Sequence, residues 1–105
     1  MNETIKKFGK LDVLINNAGI SGSKTSVLMD NCMDMYEKVL ATNIRGPVKL
    51  SSLAAPYLVQ SKGNIVNISS VASVKPMAIN FPYSVSKAAL DMFTKCVAYE
   101  LGPQG

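Results

Sequence analysis

Tyr83 and Lys87 stand four residues apart at the head of a strongly periodic segment. On a helix that spacing puts both side chains on one face, about 40° apart around the axis. A free phenol ionises near pH 10, so it exchanges protons poorly at neutral pH unless a nearby positive charge stabilises the phenolate. The Lys87 ammonium could supply that charge. Ser70, at the end of the apolar run Asn64-Ile-Val-Asn-Ile68 and brought back by a loop, could hydrogen-bond the oxygen that receives the proton. Together these types suit the transfer of one proton to or from a substrate oxygen. Each also has an ordinary role: Ser70 as a loop cap, Tyr83 as an amphipathic surface residue, Lys87 as a solvated charge.

The elements that must position them can be read along the chain. Residues 2–8 read as the end of a polar helix closed by Gly9. Leu11-Asp-Val-Leu-Ile15 is short, β-branched and apolar on both faces, as suits a central parallel strand covered on both sides. It leads into Asn16-Asn17-Ala18-Gly19, either an ordinary turn or a place where small residues let a ligand approach the main chain. In an open parallel sheet, ligands bind at the carboxyl ends of the strands. After a polar loop at 21–26, apolar residues at 29, 32, 33, 36, 39 and 40 form a helical stripe. A second helical stretch runs from about Val48 to Leu58. Between them, Asn43-Ile44-Arg45-Gly46-Pro47 demands a kink or a break. Asn43 is either the local cap or a polar side chain placed towards a site.

Gly63 ends the second helix, and 64–68 reads as a second buried strand. Two strands joined by a helical crossover make a right-handed parallel unit, so Ser69 and Ser70 should lie beside Asn16 to Gly19. Residues 71–81 form a longer loop in which Met77, Ile79 and Phe81 are either an apolar wall or the ordinary content of a packed loop. Pro82 opens the last helix, whose apolar positions keep helical spacing until Gly102-Pro103 stops it. The fold class is therefore α/β: a partial doubly wound parallel sheet with flanking helices, in one partial domain over 1–105.

Composition limits the function classes. Of the 105 residues 48% are apolar and 17% charged, which argues for a folded chain with much to bury. The net charge of +4 comes from scattered Lys and Arg, with no basic run interleaved with aromatics, which argues against nucleic acid. Cys32 and Cys96 lack CxxC spacing and the chain has no histidine, so no metal site is expected and the thiols read as reduced. No apolar run has the length of a membrane span, and 1–10 lacks an apolar signal core. A soluble, cytoplasmic protein is the default expectation.

Four motifs in order resemble the short-chain dehydrogenase/reductase family: Asn16-Asn-Ala-Gly19 after a strand, Asn43 in a Thr-Asn-Ile setting, Ile65-Val-Asn-Ile-Ser-Ser70, and Tyr83-x-x-x-Lys87. Their spacing is similar to the classical branch, especially carbonyl, xylulose and 3-oxoacyl-type reductases. The resemblance implies a Rossmann-like fold and hydride transfer between NAD or NADP and a small-molecule carbonyl or secondary alcohol. It implies Tyr83 as general acid and base, and Lys87 as the charge that tunes it and holds the nicotinamide ribose. Ser70, rather than Ser69, would polarise the substrate oxygen, and Asn43 would hold a water linking Lys87 to solvent. Asn16, Ala18 and Gly19 would line the adenosine-ribose side of the cofactor. Family members associate through their two long helices, so a homo-oligomer is implied.

The sequence also departs from that family. No GxxxGxG precedes Asn16, and no residue chooses between NAD and NADP. The chain resembles the middle of a longer member, without the first dinucleotide-binding βαβ unit and the last strands. Its expected function is a segment of an oxidoreductase; the alternative is a noncatalytic truncated product that associates with full-length subunits. Alone, the polypeptide is expected to be inactive, and unstable or dependent on another copy because its sheet would have an uncovered apolar edge.

Overall fold

A computed structural model describes residues 1–76 and 78–105. The sheet has two strands, β1 (Val13–Asn16) and β2 (Asn64–Asn67), paired in parallel from Val13 opposite Asn64 to Asn16 opposite Asn67. The strand expected over 11–15 begins later and reaches Asn16, because the Asn64 and Ile68 amides donate to the Asp12 and Asn16 carbonyls, framing the ladder at both ends. Helix α1 (Asn2–Phe8) precedes β1 and ends where Gly9 turns left-handed at φ 79°.

Helix α2 (Cys32–Leu40) runs into α3 (Gly46–Ser61) through a wide π turn at Ala41–Arg45, so of the expected kink or break the chain takes a continuous helical irregularity and not a break. The Gly46 amide reaches back to the Ala41 carbonyl, so one looser turn absorbs Gly46-Pro47, and Pro47 then sits in the first turn of α3 where it owes no donor. The stripe beginning at Met29 starts as helix only at Cys32, since residues 26–31 form tight turns instead. Helix α3 ends just before Gly63, as expected, with Lys62 taking the left-handed turn at φ 53°. Gly63 answers a different need: a Cβ there would collide with the Asp12 carbonyl, where the chain packs flat against the start of β1.

Beyond β2 a 3-10 turn (Val71–Ser73) leads to α4 (Phe81–Leu101), with Pro82 in its first turn, and a second 3-10 turn (Gly102–Gln104) follows. Helices α3 and α4 pack on the sheet, and the core gathers Val39, Ala54, Leu58, Ala72 and Leu90. The two-sided cover expected of the strands is not met within these residues. Leu14, Asn16, Ile65 and Asn67 share the face towards the helices, whereas Val13, Ile15 and Val66 are exposed. Among the described residues no helix is long and apolar enough to cross a membrane.

Candidate active site

The carboxyl ends of the two strands and the first turns of α4 converge on Lys87. Its side chain is buried, and Nζ donates to the Ile68 carbonyl at 2.9 Å, directly ahead of Ser69 and Ser70. Nζ also lies 5.9 Å from the centroid of the half-buried Tyr83 ring, so the helical spacing brings the pair together. An ammonium has three donors. One is committed to Ile68, which anchors the charge and leaves two for a ligand.

Gly19 closes the seat from the other strand. Its backbone is not left-handed, so the absence of a side chain there concerns space: a Cβ would stand 3.3 Å from Lys87 Nζ and 3.5 Å from Asn43 Oδ1. Asn17, Ala18 and Gly19 are exposed, whereas Asn16 is not. The Asn16 amide donates to Asn67 Oδ1 at 2.7 Å and Ser51 Oγ at 3.3 Å, and its carbonyl accepts from Ile68 N–H. Asn16 thus ties the two strands to α3, and main-chain groups from Asn17 onward are the ones left open to a ligand. Asn67 extends the tie to α4 by donating to Thr94 Oγ1 at 2.9 Å.

Asn43 is fully buried by the π turn and clamps the segment after Gly19. Its Oδ1 accepts from Ile20 N–H and its Nδ2 donates to Ile20 O, both at 2.8 Å, and Nδ2 also donates to Ser86 Oγ at 3.0 Å. Both side-chain donors are therefore committed to protein groups. Of the side chain, only the second Oδ1 lone pair remains for the expected water. Ser86, buried between Tyr83 and Lys87, passes the tie on by donating to the Tyr83 carbonyl at 2.7 Å. Sequence reading did not single out Ser86; its signal was the i, i+3 spacing from Tyr83 on a helix.

Ser70 caps the 3-10 turn: Oγ accepts from Ala72 N–H at 3.2 Å. This does not consume its own O–H, which stays free to donate. Of the apolar wall expected in the loop, Phe81 stacks on Tyr36 with centroids 6.1 Å apart, Ile79 is exposed, and Met77 lies outside the described residues.

Asp91 lies one turn beyond Lys87 on α4, beside the Ser69–Ser73 segment. The Ser69 and Ser73 hydroxyls beside it, helped by the Lys95 and Lys87 charges and opposed by partial burial, hold its carboxyl below the usual carboxylate range. A depressed folded-state pKa means that the ionised form stabilises the fold above the unfolded-state value of 3.8, and that this stability is lost as pH falls through the folded value. Denaturant midpoints measured below pH 4 should therefore fall less steeply for Asp91→Asn than for the parent. Superimposable acid branches would show that Asp91 makes no such contribution.

A family model described as short chain dehydrogenase matches residues 1–105. The chain is 43% identical over 93 residues to an L-xylulose reductase of Caenorhabditis elegans, covering 87% of this chain and 36% of the relative. It is 40% identical over 104 residues to a 2-(R)-hydroxypropyl-CoM dehydrogenase of Xanthobacter autotrophicus, covering 97% and 42%. Among solved structures it superimposes on an NAD+-bound xylitol dehydrogenase with a TM-score of 0.91 at 31% identity, covering 99% of this chain and 40% of that one. A cofactor-bound Caenorhabditis elegans short-chain dehydrogenase/reductase gives 0.90 at 39% identity, with the same coverage. The chain thus spans about two fifths of the length of these relatives. With the family model matched from end to end and relatives of about 40% identity covering most of its length, the chain belongs to the short-chain dehydrogenase family.

Proposed function

We propose that this chain is the proton-handling centre of an NAD(P)-dependent oxidoreductase that interconverts a carbonyl and a secondary alcohol. The observation that carries this reading is the anchored Lys87 ammonium beside the Tyr83 ring, with the open Asn17–Gly19 main chain next to it. That arrangement fits a nicotinamide nucleotide: Gly19 leaves room above Lys87, and the two uncommitted ammonium donors suit ribose hydroxyls. Ala18 and Gly19, through main-chain groups, and Lys87 would hold the cofactor, with Asn16 keeping the strand ends in place. The bound nicotinamide supplies or accepts the hydride.

The residues of this chain manage the proton. In the reducing direction the Tyr83 hydroxyl donates to the carbonyl oxygen, and in the oxidising direction its oxygen takes the proton back. The Lys87 ammonium stands 5.9 Å from the centroid of the Tyr83 ring, beside the group that exchanges the proton. Ser70 orients the same oxygen with its free O–H, and Asn43 keeps Gly19 and Tyr83 in a fixed relation through Ile20 and Ser86.

The direct test is hydride transfer in the oxidoreductase subunit that carries this sequence. With NADH and NADPH deuterated at C4 and a panel of ketones, one deuterium is expected at the carbinol carbon of a product, seen by mass spectrometry. Absence of transfer to every ketone, from either cofactor, would sink the reading. A second reading, a noncatalytic chain that docks on other subunits, draws on the exposed apolar side chains Leu50, Leu53 and Met92 of α3 and α4.

A further inference from the structure

Asn80 stands at the N-cap position of α4, yet among the described residues its side chain caps nothing. Its Nδ2 instead donates to the Ser21 carbonyl at 3.2 Å. Only the NH2 end of an amide can face a carbonyl, so chemistry fixes this orientation. The oxygen that would have served as the cap, Oδ1, is buried with no partner among the described residues.

The neighbouring backbone makes the same connection. Thr25 N–H donates to the Ile79 carbonyl at 2.9 Å, and Thr25 pairs with Asn80 in an isolated parallel bridge. Thr25 is itself buried, at 2% exposure, and its hydroxyl donates to Ser23 O. To present that carbonyl, Ile79 adopts φ 55°, a left-handed conformation that β-branched side chains strongly disfavour. Residues 79–80 thus forgo a helix cap and hold a strained backbone, and both departures serve one end, contact with 21–25.

The two segments so joined flank the site. Residues 21–25 follow the Gly19 turn and the Ile20 clamp, and residues 79–80 immediately precede the turn that carries Tyr83. An uncapped first turn frays, and fraying here would move Tyr83 relative to Gly19 and Lys87. We propose that Asn80 is a positioning residue, which fixes the first turn of α4, and with it Tyr83, against the loop that follows the cofactor-side turn. The proposal rests on the acid–base reading of Tyr83.

Two substitutions in the oxidoreductase subunit that carries this sequence separate this role from ordinary capping. Asn80→Ser supplies a good N-cap but is too short to reach Ser21 O, and Asn80→Asp keeps the shape while setting an acceptor against that carbonyl. In both, kcat for ketone reduction is expected to fall about tenfold to a hundredfold, as for a modest misplacement of a reacting group. The KM for cofactor should change little, and the thermal midpoint of Asn80→Ser should be held or raised. An unchanged kcat in Asn80→Ser overturns the proposal. So does a drop in midpoint that accounts for the lost activity in both variants. Tyr83→Phe measured alongside tells the two levels apart: if it keeps full turnover, the acid–base reading fails and the Asn80 proposal fails with it; if it loses turnover while Asn80→Ser does not, only the Asn80 proposal fails.

Discussion

Tyr83→Phe is expected to lower kcat by about a hundredfold to ten-thousandfold, the range associated with loss of a positioned general acid or base. The substitution removes one oxygen and nothing else. The ring that faces Lys87 remains, and Lys87 keeps its own anchor on the Ile68 carbonyl, which does not depend on the phenol. Cofactor affinity, followed by nicotinamide fluorescence, should therefore stay within about threefold of the parent, a change worth less than about 0.7 kcal/mol. The split between binding and turnover is the informative part. A variant that binds and still turns over at near the parental rate would take Tyr83 out of the proton-transfer role. A variant that loses both would point to a packing role instead.

The second large effect concerns stability. Asn43→Ala should destabilise the subunit by about 3–5 kcal/mol, measured as a shift in urea midpoint. The Asn43 amide is fully buried and makes three hydrogen bonds, to Ile20 N–H, Ile20 O and Ser86 Oγ. Deleting it strands the Ile20 N–H and C=O and takes a donor from Ser86 Oγ, which keeps its own bond to the Tyr83 carbonyl; each orphaned group costs about 1–3 kcal/mol. Against a typical domain stability of about 5–15 kcal/mol, the loss is a large fraction. The damage should reach catalysis too, because Ser86 holds the Tyr83 carbonyl and Ile20 adjoins Gly19. A shift smaller than about 1 kcal/mol would show that solvent replaces these bonds and that the clamp is unimportant.

Much of this site can be read from residue order because its main parts are local or nearly so. The four-residue spacing of Tyr83 and Lys87 needs only a helix to bring them together, and Pro82 and the apolar repeat announce that helix. The parallel pairing of 13–16 with 64–67 follows from two short apolar runs and the helices between them. What could not be read depends on partners distant in sequence. Nothing near Asn43 shows that its amide will be shared between Ile20 and Ser86, and nothing near Asn16 shows that its side chain will turn to Ser51 and Asn67. Gly63 looks like a helix stop, but the reason for it, the Asp12 carbonyl, comes from another strand. Asn80 stands at the N-cap position of α4, and only the fold shows its amide turned to Ser21. The strands read as buried on both faces because apolar periodicity records what a side chain prefers, not how much chain is available to cover it.

The parallel pairing sets an order of events in folding. Asn16 and Asn67 are 51 residues apart, so a bond between them closes a long loop whose entropic cost grows as about (3/2)RT ln n, roughly 3.5 kcal/mol before the constant term. Helix α4, by contrast, can form from neighbours alone, and with it the Tyr83–Lys87 pair. A nascent chain would therefore carry the Tyr83–Lys87 pair well before the Ile68 carbonyl and the Gly19 gap exist to hold the ammonium. The lysine would be a solvated charge until the sheet closes, and sheet closure is the step that turns a surface helix into the proposed site.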